Sequence, residues 1–194
     1  TSAADIICLD VNGQADGNDG PFVDEASYMM PDGEPPLKLK ASDADIIWRY
    51  DIITSLPVRP HDAMSCSPLI HGDFIYVGTG NGVDLSHINV KYPDAPSLIV
   101  LNKKTGKLLA KDDEKIGRRM LHGQWSSPAM GKIGNKTLIF YGGGDGMLYA
   151  FEALSQAPGA GKVATLRKAW RYDCNPREYR FRPNGEKIVY QRIH

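Results

Sequence analysis

Ile75-Tyr-Val-Gly-Thr-Gly-Asn-Gly82 returns as Ile139-Phe-Tyr-Gly-Gly-Gly-Asp-Gly146, 64 residues further along the chain. Each copy is a short run of β-branched and aromatic residues that stops at a glycine-rich turn. Other matches keep the same order. Ser67-Pro68 recurs as Ser127-Pro128, 60 residues on, and Trp48-Arg49-Tyr50-Asp51 recurs as Trp170-Arg171-Tyr172-Asp173, 122 residues on. The second interval is about twice the first, so an intermediate copy is due. Leu108-Leu-Ala-Lys-Asp-Asp113 supplies it, with Ala110 at the tryptophan position. Ile6-Ile-Cys-Leu-Asp10, Leu98-Ile-Val-Leu-Asn102 and Leu148-Tyr-Ala-Phe-Glu152 align as a further element. A period of this length signals stacked supersecondary units rather than one irregular fold.

Each unit reads as four short strands. In the middle copy these begin at Cys66–Ile70, continue through Asp73–Val77, cross the Gly78–Gly82 turn and resume at Ser97–Leu101. A turn at Lys103-Lys-Thr-Gly106 leads to the fourth, over Lys107–Lys111. Four-stranded antiparallel units at about 60 residues predict an all-β protein, a β-propeller built of such blades. The units divide the chain into a blade end at 1–51 with an insertion at 11–45, a blade at 61–113 with an insertion at 83–96, a blade at 122–173, and a tail or next blade from 174 to 194. About three blades fall short of the four or more that close a ring. A partial propeller, completed by another chain or belonging to a longer protein, is therefore expected, because open sheet edges invite pairing.

Composition narrows the function classes. The chain has 194 residues, with 23 basic and 23 acidic side chains and no net charge, which argues against a nucleic-acid partner. No apolar run is long enough for a transmembrane helix, and the first residues lack the charged and apolar regions of a signal peptide. Cys8, Cys66 and Cys174 are too few and too scattered for a disulfide framework. Cys8 and Cys66 sit in strand-like runs, where free cysteine acts as a small hydrophobe.

Val100-x-Asn102-x-x-Thr105-Gly106-x-x-x-Ala110 resembles the quinoprotein blade motif A-x-D-x-x-T-G-x-x-x-W, with substitutions at three of its five marked positions. The first unit keeps Cys8-x-Asp10 and Trp48, split by the insertion, and the third keeps Ala150-x-Glu152 and Trp170. Over residues 5–175 the chain is similar to the PQQ-binding-like propeller repeats, planctomycete-type sequences included. That resemblance implies a periplasmic or extracellular location and two kinds of function. One is a non-catalytic binding or scaffold propeller with a protein or peptide partner. The alternative is a PQQ- and calcium-dependent alcohol or sugar dehydrogenase. Such dehydrogenases hold calcium with Glu, Asn and Asp, and many carry adjacent cysteines; here no two cysteines adjoin and no active-site motif matches. Fold membership alone does not choose between the two, and the binding module is the leading expectation.

Candidate sites follow from residue chemistry. His61-Asp62 and His122 both precede a Ser-Pro strand start, so both should face one end of a central channel. A histidine there can act as general base or metal ligand, with Asp62 orienting it. It can equally tie one blade to the next, and nothing beside these residues in the sequence supplies a nucleophile or a third ligand. Asp10, Asn12, Asp16, Asn18 and Asp19 are rich in the oxygens calcium prefers. Their spacing fails the EF-hand template, and the same residues are ordinary in irregular loops. Asp145 is a cofactor-binding candidate, in a glycine-rich loop that can approach a phosphate or flat ring closely, but the loop lacks the P-loop Lys-Ser/Thr and reads better as a turn between strands. Trp125 can stack on a planar cofactor, whereas Trp48 and Trp170, at equivalent positions, read as packing between blades. The basic residues Arg167, Lys168, Arg171, Arg177, Arg180 and Arg182 alternate with Asp173 and Glu178, the pattern of a solvated face.

Overall fold

A computed structural model describes residues 4–120 and 122–180. Three antiparallel sheets follow one another along the chain. The first pairs β1 (Asp5–Leu9) with β2 (Ile46–Asp51). The second is a meander of β3 (Leu69–His71), β4 (Phe74–Gly78), β5 (Leu98–Asn102) and β6 (Leu108–Lys111). The third places β7 (Ala129–Ile133), β8 (Lys136–Gly142), β9 (Met147–Glu152) and β11 (Lys168–Asp173) in a second meander. The short β10 (Ala164–Thr165), between β9 and β11 in sequence, leaves its neighbours and pairs parallel with β6.

The middle sheet explains why its sequence is apolar without alternation, since a strand covered on both faces has no solvent side. Phe74, Tyr76, Leu98 and Val100 pack against Ile139, Tyr141, Tyr149 and Phe151 of the third sheet. The opposite face, Ile75, Val77, Ile99 and Leu101, packs against Trp48 of β2 and against Ile52, Leu56 and Val58 in the segment that follows it. The sheets are thus stacked face to face with the second between its neighbours.

Cross-strand pairs occupy matching places in all three. Cys8 faces Trp48, Val100 faces Ala110, and Ala150 faces Trp170. Trp48 is buried over the β5–β6 turn of the next sheet, its indole N–H donating to the Lys103 carbonyl at 3.0 Å. Gly106 in that turn has φ +68°, and a Cβ there would lie 2.5 Å from the Trp48 ring. Trp170 rests beside Phe140 on the outward face of the third sheet, ring centroids 5.8 Å apart, and is 37% exposed.

The segments leading into β3 and β7 are joined where the Ser-Pro pairs sit: the Ser67 N–H donates to Ser127 Oγ at 2.8 Å. Strand pairing starts at Leu69 rather than Cys66, and the proline at 68 has no N–H to give to a ladder. The segment 11–45 folds back on β2 around two buried carboxylates. Glu25 accepts from the Ile46 N–H and from Asn18, and Asp45 accepts from the Asp19 N–H and from Gln14. Of the tail read from 174 onward, residues 181–194, with Arg182, lie outside the described residues. Among the described residues no helix is long and apolar enough to cross a membrane.

Candidate functional site

The loops before β3 and β7 bring His61 and His122 together, ring centroids 4.2 Å apart and 75° between planes. A third histidine joins them from the segment between β4 and β5. His87 lies 4.8 Å from His61 and 5.1 Å from His122, centroid to centroid. Sequence reading finds no third ligand beside His61 and His122; the fold supplies one from 26 residues downstream of His61 and 35 upstream of His122. One donor nitrogen from each ring falls within 4.8 Å of the others.

Backbone contacts set this geometry. The His61 N–H donates to the Gly80 carbonyl and the Gly82 N–H to the Arg59 carbonyl, holding the Pro60–Asn81 pairing. The Val83 N–H donates to the His122 carbonyl at 2.9 Å, so the two histidine loops share a backbone bond. A Cβ on Gly82 would stand 2.5 Å from His61 Cβ, which explains why no side chain occupies that place. A tight turn carries His87: the His87 N–H donates to the Asp84 carbonyl, and Asp84 Oδ1 accepts from the Ser86 N–H. His87 and Asp62 both take positive φ, +58° and +56°. Aspartate and histidine tolerate that region better than most residues, and such outliers cluster where a site imposes them.

The three imidazoles differ in surroundings. His61 is 3% exposed. Its Nδ1 lies 3.0 Å from the Val83 carbonyl, which only accepts, so Nδ1 carries a proton, and in the neutral ring Nε2 is the bare nitrogen. His61 Nε2 is buried without a hydrogen-bond partner among the described residues. Asp62 Oδ2 stands 3.3 Å from it, out of hydrogen-bond geometry, on a side chain 67% exposed. His87 Nδ1 and His122 Nε2 are 3.0 Å apart. Trp125 flanks the group, its indole N–H donating to the His61 carbonyl at 3.4 Å, and is 41% exposed. Beneath it, the buried Gln124 amide donates to the Asn81 carbonyl and to Ser97 Oγ. The Ser97 N–H in turn donates to Asp112, whose carboxyl burial pushes up to about 7 against that hydrogen bond.

The other candidates stand apart from this group. Asp145 is buried at the β8–β9 turn, accepting from Tyr149 Oη at 2.6 Å and Arg119 Nε at 2.9 Å; the three form a closed structural network. Its carboxylate pushes the Tyr149 phenol further in the direction burial already sets, upward. Asp10 Oδ1 accepts from the Asn12 N–H, Asp16 Oδ2 from the Asn12 amide, and Asn18 donates to Glu25, so these oxygens and amides serve their own loop. Among the described residues, His61, His87 and His122 are the group of three His, Cys, Asp or Glu placed to share an ion. Three nitrogen donors do not fit the oxygen shell that calcium requires, so this cluster is not suited to holding a calcium–quinone pair. Two of the basic residues are paired, Arg167 with Glu152 and Lys168 with Glu114.

No protein-family profile matches this chain, and no curated protein matches it.

Proposed function

We propose that the chain is an arc of a β-propeller of quinoprotein-type repeats, acting as a non-catalytic binding module in an extracytoplasmic compartment. Its recognition surface is the loop cluster around His61, His87 and His122, and its partner a protein or peptide. The stacking carries the architectural part of this reading. Trp48 closes the first sheet onto the second, while Trp170, at the matching place on the third sheet, has its ring partly in solvent. In a propeller that outward face receives the next blade, from the same or another chain.

The binding part rests on the loop that bears His87. Its neighbours Leu85 and Ile88 are 83% and 54% exposed, and Trp125 adds a half-open indole beside the histidines. Several exposed apolar side chains gathered beside polar groups are the make-up of a docking surface. Native mass spectrometry in a calcium-containing volatile buffer with added PQQ tests the reading. The expected result is chain free of quinone. A stoichiometric retained mass of quinone plus calcium overturns it in favour of the dehydrogenase.

A further inference from the structure

We propose that His61, His87 and His122 form a binding site for a first-row divalent transition-metal ion, zinc foremost. The inference rests on distances within the loop cluster and stands whether or not the stacked sheets belong to a propeller.

The donor set selects the ion. Three imidazoles with no thiolate suit zinc, copper or nickel rather than calcium or magnesium. Around a tetrahedral zinc with bonds near 2.0–2.1 Å, ligand nitrogens stand about 3.3 Å apart. His87 Nδ1 and His122 Nε2 are already 3.0 Å apart, and all three donors lie within 4.8 Å. The remaining gap, at most about 1.5 Å against that tetrahedral spacing, falls to movement of His87, which sits exposed on its loop.

His61 Nε2 is the observation that asks for a cation. It is buried and has no hydrogen-bond partner among the described residues, while the Val83 carbonyl, 3.0 Å from Nδ1, holds the ring and leaves Nε2 as its open nitrogen. A buried acceptor left unpaired is costly. Metal-bound histidines are held in this way, with the second ring nitrogen donating to a carbonyl that sets tautomer and orientation. His87 and His122 face each other through ring nitrogens that one shared proton can satisfy, and an ion would take both lone pairs instead. Three ligands leave a fourth position open to water; Asp62 Oδ2, 3.3 Å from His61 Nε2, lies outside the group of mutually close donors. The bound ion would clip the segment between β4 and β5 to the starts of both β3 and β7.

The test uses the full chain, stripped with EDTA and titrated with zinc chloride by calorimetry and with cobalt(II) chloride by visible absorption. One equivalent of zinc and the absorption bands of four-coordinate cobalt are expected. His87→Ala and His122→Ala should each weaken zinc by at least roughly 100-fold, the upper range that losing even an outer partner of a ligand costs. His71→Ala, outside the cluster, should leave binding unchanged, and excess calcium should not compete. Because buried His61 also supports the fold, the test turns on the other two. Absence of zinc uptake overturns the proposal, and so does uptake that survives both His87→Ala and His122→Ala with circular dichroism unchanged.

Discussion

Gly106→Ala adds one methyl group at a place where two independent costs meet. The residue has φ +68°, which a Cβ opposes by about 1–2 kcal/mol. The new Cβ would also lie 2.5 Å from Trp48 Cε3 and 2.7 Å from Cδ2, inside van der Waals contact. The ring cannot retreat freely, because Trp48 is 3% exposed and its N–H is held by the Lys103 carbonyl. Overpacking of this kind costs about 1–3 kcal/mol, so the total expected loss is about 2–5 kcal/mol. Gly134→Ala isolates the first cost: φ is +58°, and no atom lies within 4 Å of the added Cβ. Urea unfolding followed by far-ultraviolet circular dichroism compares the two variants with the parent. Gly106→Ala should be the more damaging by about 1–3 kcal/mol, and that excess should shrink in a Trp48→Leu background. Equal losses in the two glycine variants would refute the docking of Trp48 on the β5–β6 turn as the contact that closes the first sheet onto the second.

Asp112 makes stability depend on pH in an unusual direction. Its folded carboxyl titrates near 7 and its unfolded one near 3.8, so the folded state retains a proton that the unfolded chain releases between these values. Stability should therefore fall as pH rises from about 4 to about 7, by on the order of 4 kcal/mol from this group, and level off above. Asp112→Asn should flatten the urea midpoint across that window; a slope identical to the parent's would count against it. Tyr141 buries a hydroxyl without a partner among the described residues, close to Gly78 and Cys66. Tyr141→Phe should thus change stability by less than about 1 kcal/mol or raise it, and a thermal-melt loss equivalent to more than about 2 kcal/mol would show that the hydroxyl matters. Asp145→Ala strips a buried acceptor from Arg119 and Tyr149 and should cost about 2–4 kcal/mol in urea unfolding. A variant as stable as the parent would remove the network from the account of the third sheet.

What the sequence discloses about this molecule tracks the range of the forces involved. Local pattern places β4 over 73–77 against an observed Phe74–Gly78, and β5 over 97–101 against Leu98–Asn102. Those strands announce themselves because both faces are covered and every residue must be apolar or β-branched. β10 is illegible in the sequence: two residues, Ala164 and Thr165, gain their strand character only from an edge more than fifty residues earlier. The site divides in the same way. His61 and His122 both lie just ahead of a Ser-Pro pair, six and five residues before its serine, and that is how the repeat brings both to notice. His87 lies in a stretch that aligns with no other unit, and only folding carries it to the other two. A signal exists nonetheless, in Asp84-Leu-Ser-His87, whose aspartate and serine spacing suits a tight turn that presents its last residue. Asp145 reads locally as a turn residue, and its further duty to Arg119 and Tyr149 depends on a side chain 26 positions away.

The excursion of β10 onto β6 bears on how the molecule comes apart. Stacked units that meet only through side chains open one neighbour at a time, each with its own free energy. Here main-chain N–H groups tie the second and third units together, among them Leu166 donating to the Lys111 carbonyl and Leu154 donating to the Tyr76 hydroxyl. The first sheet has mainly the Trp48 contact and its surrounding apolar cluster. The amide protons of β1 and β2 should therefore exchange with solvent through a separate, cheaper opening, while those of β4 to β9 exchange together as one cooperative block.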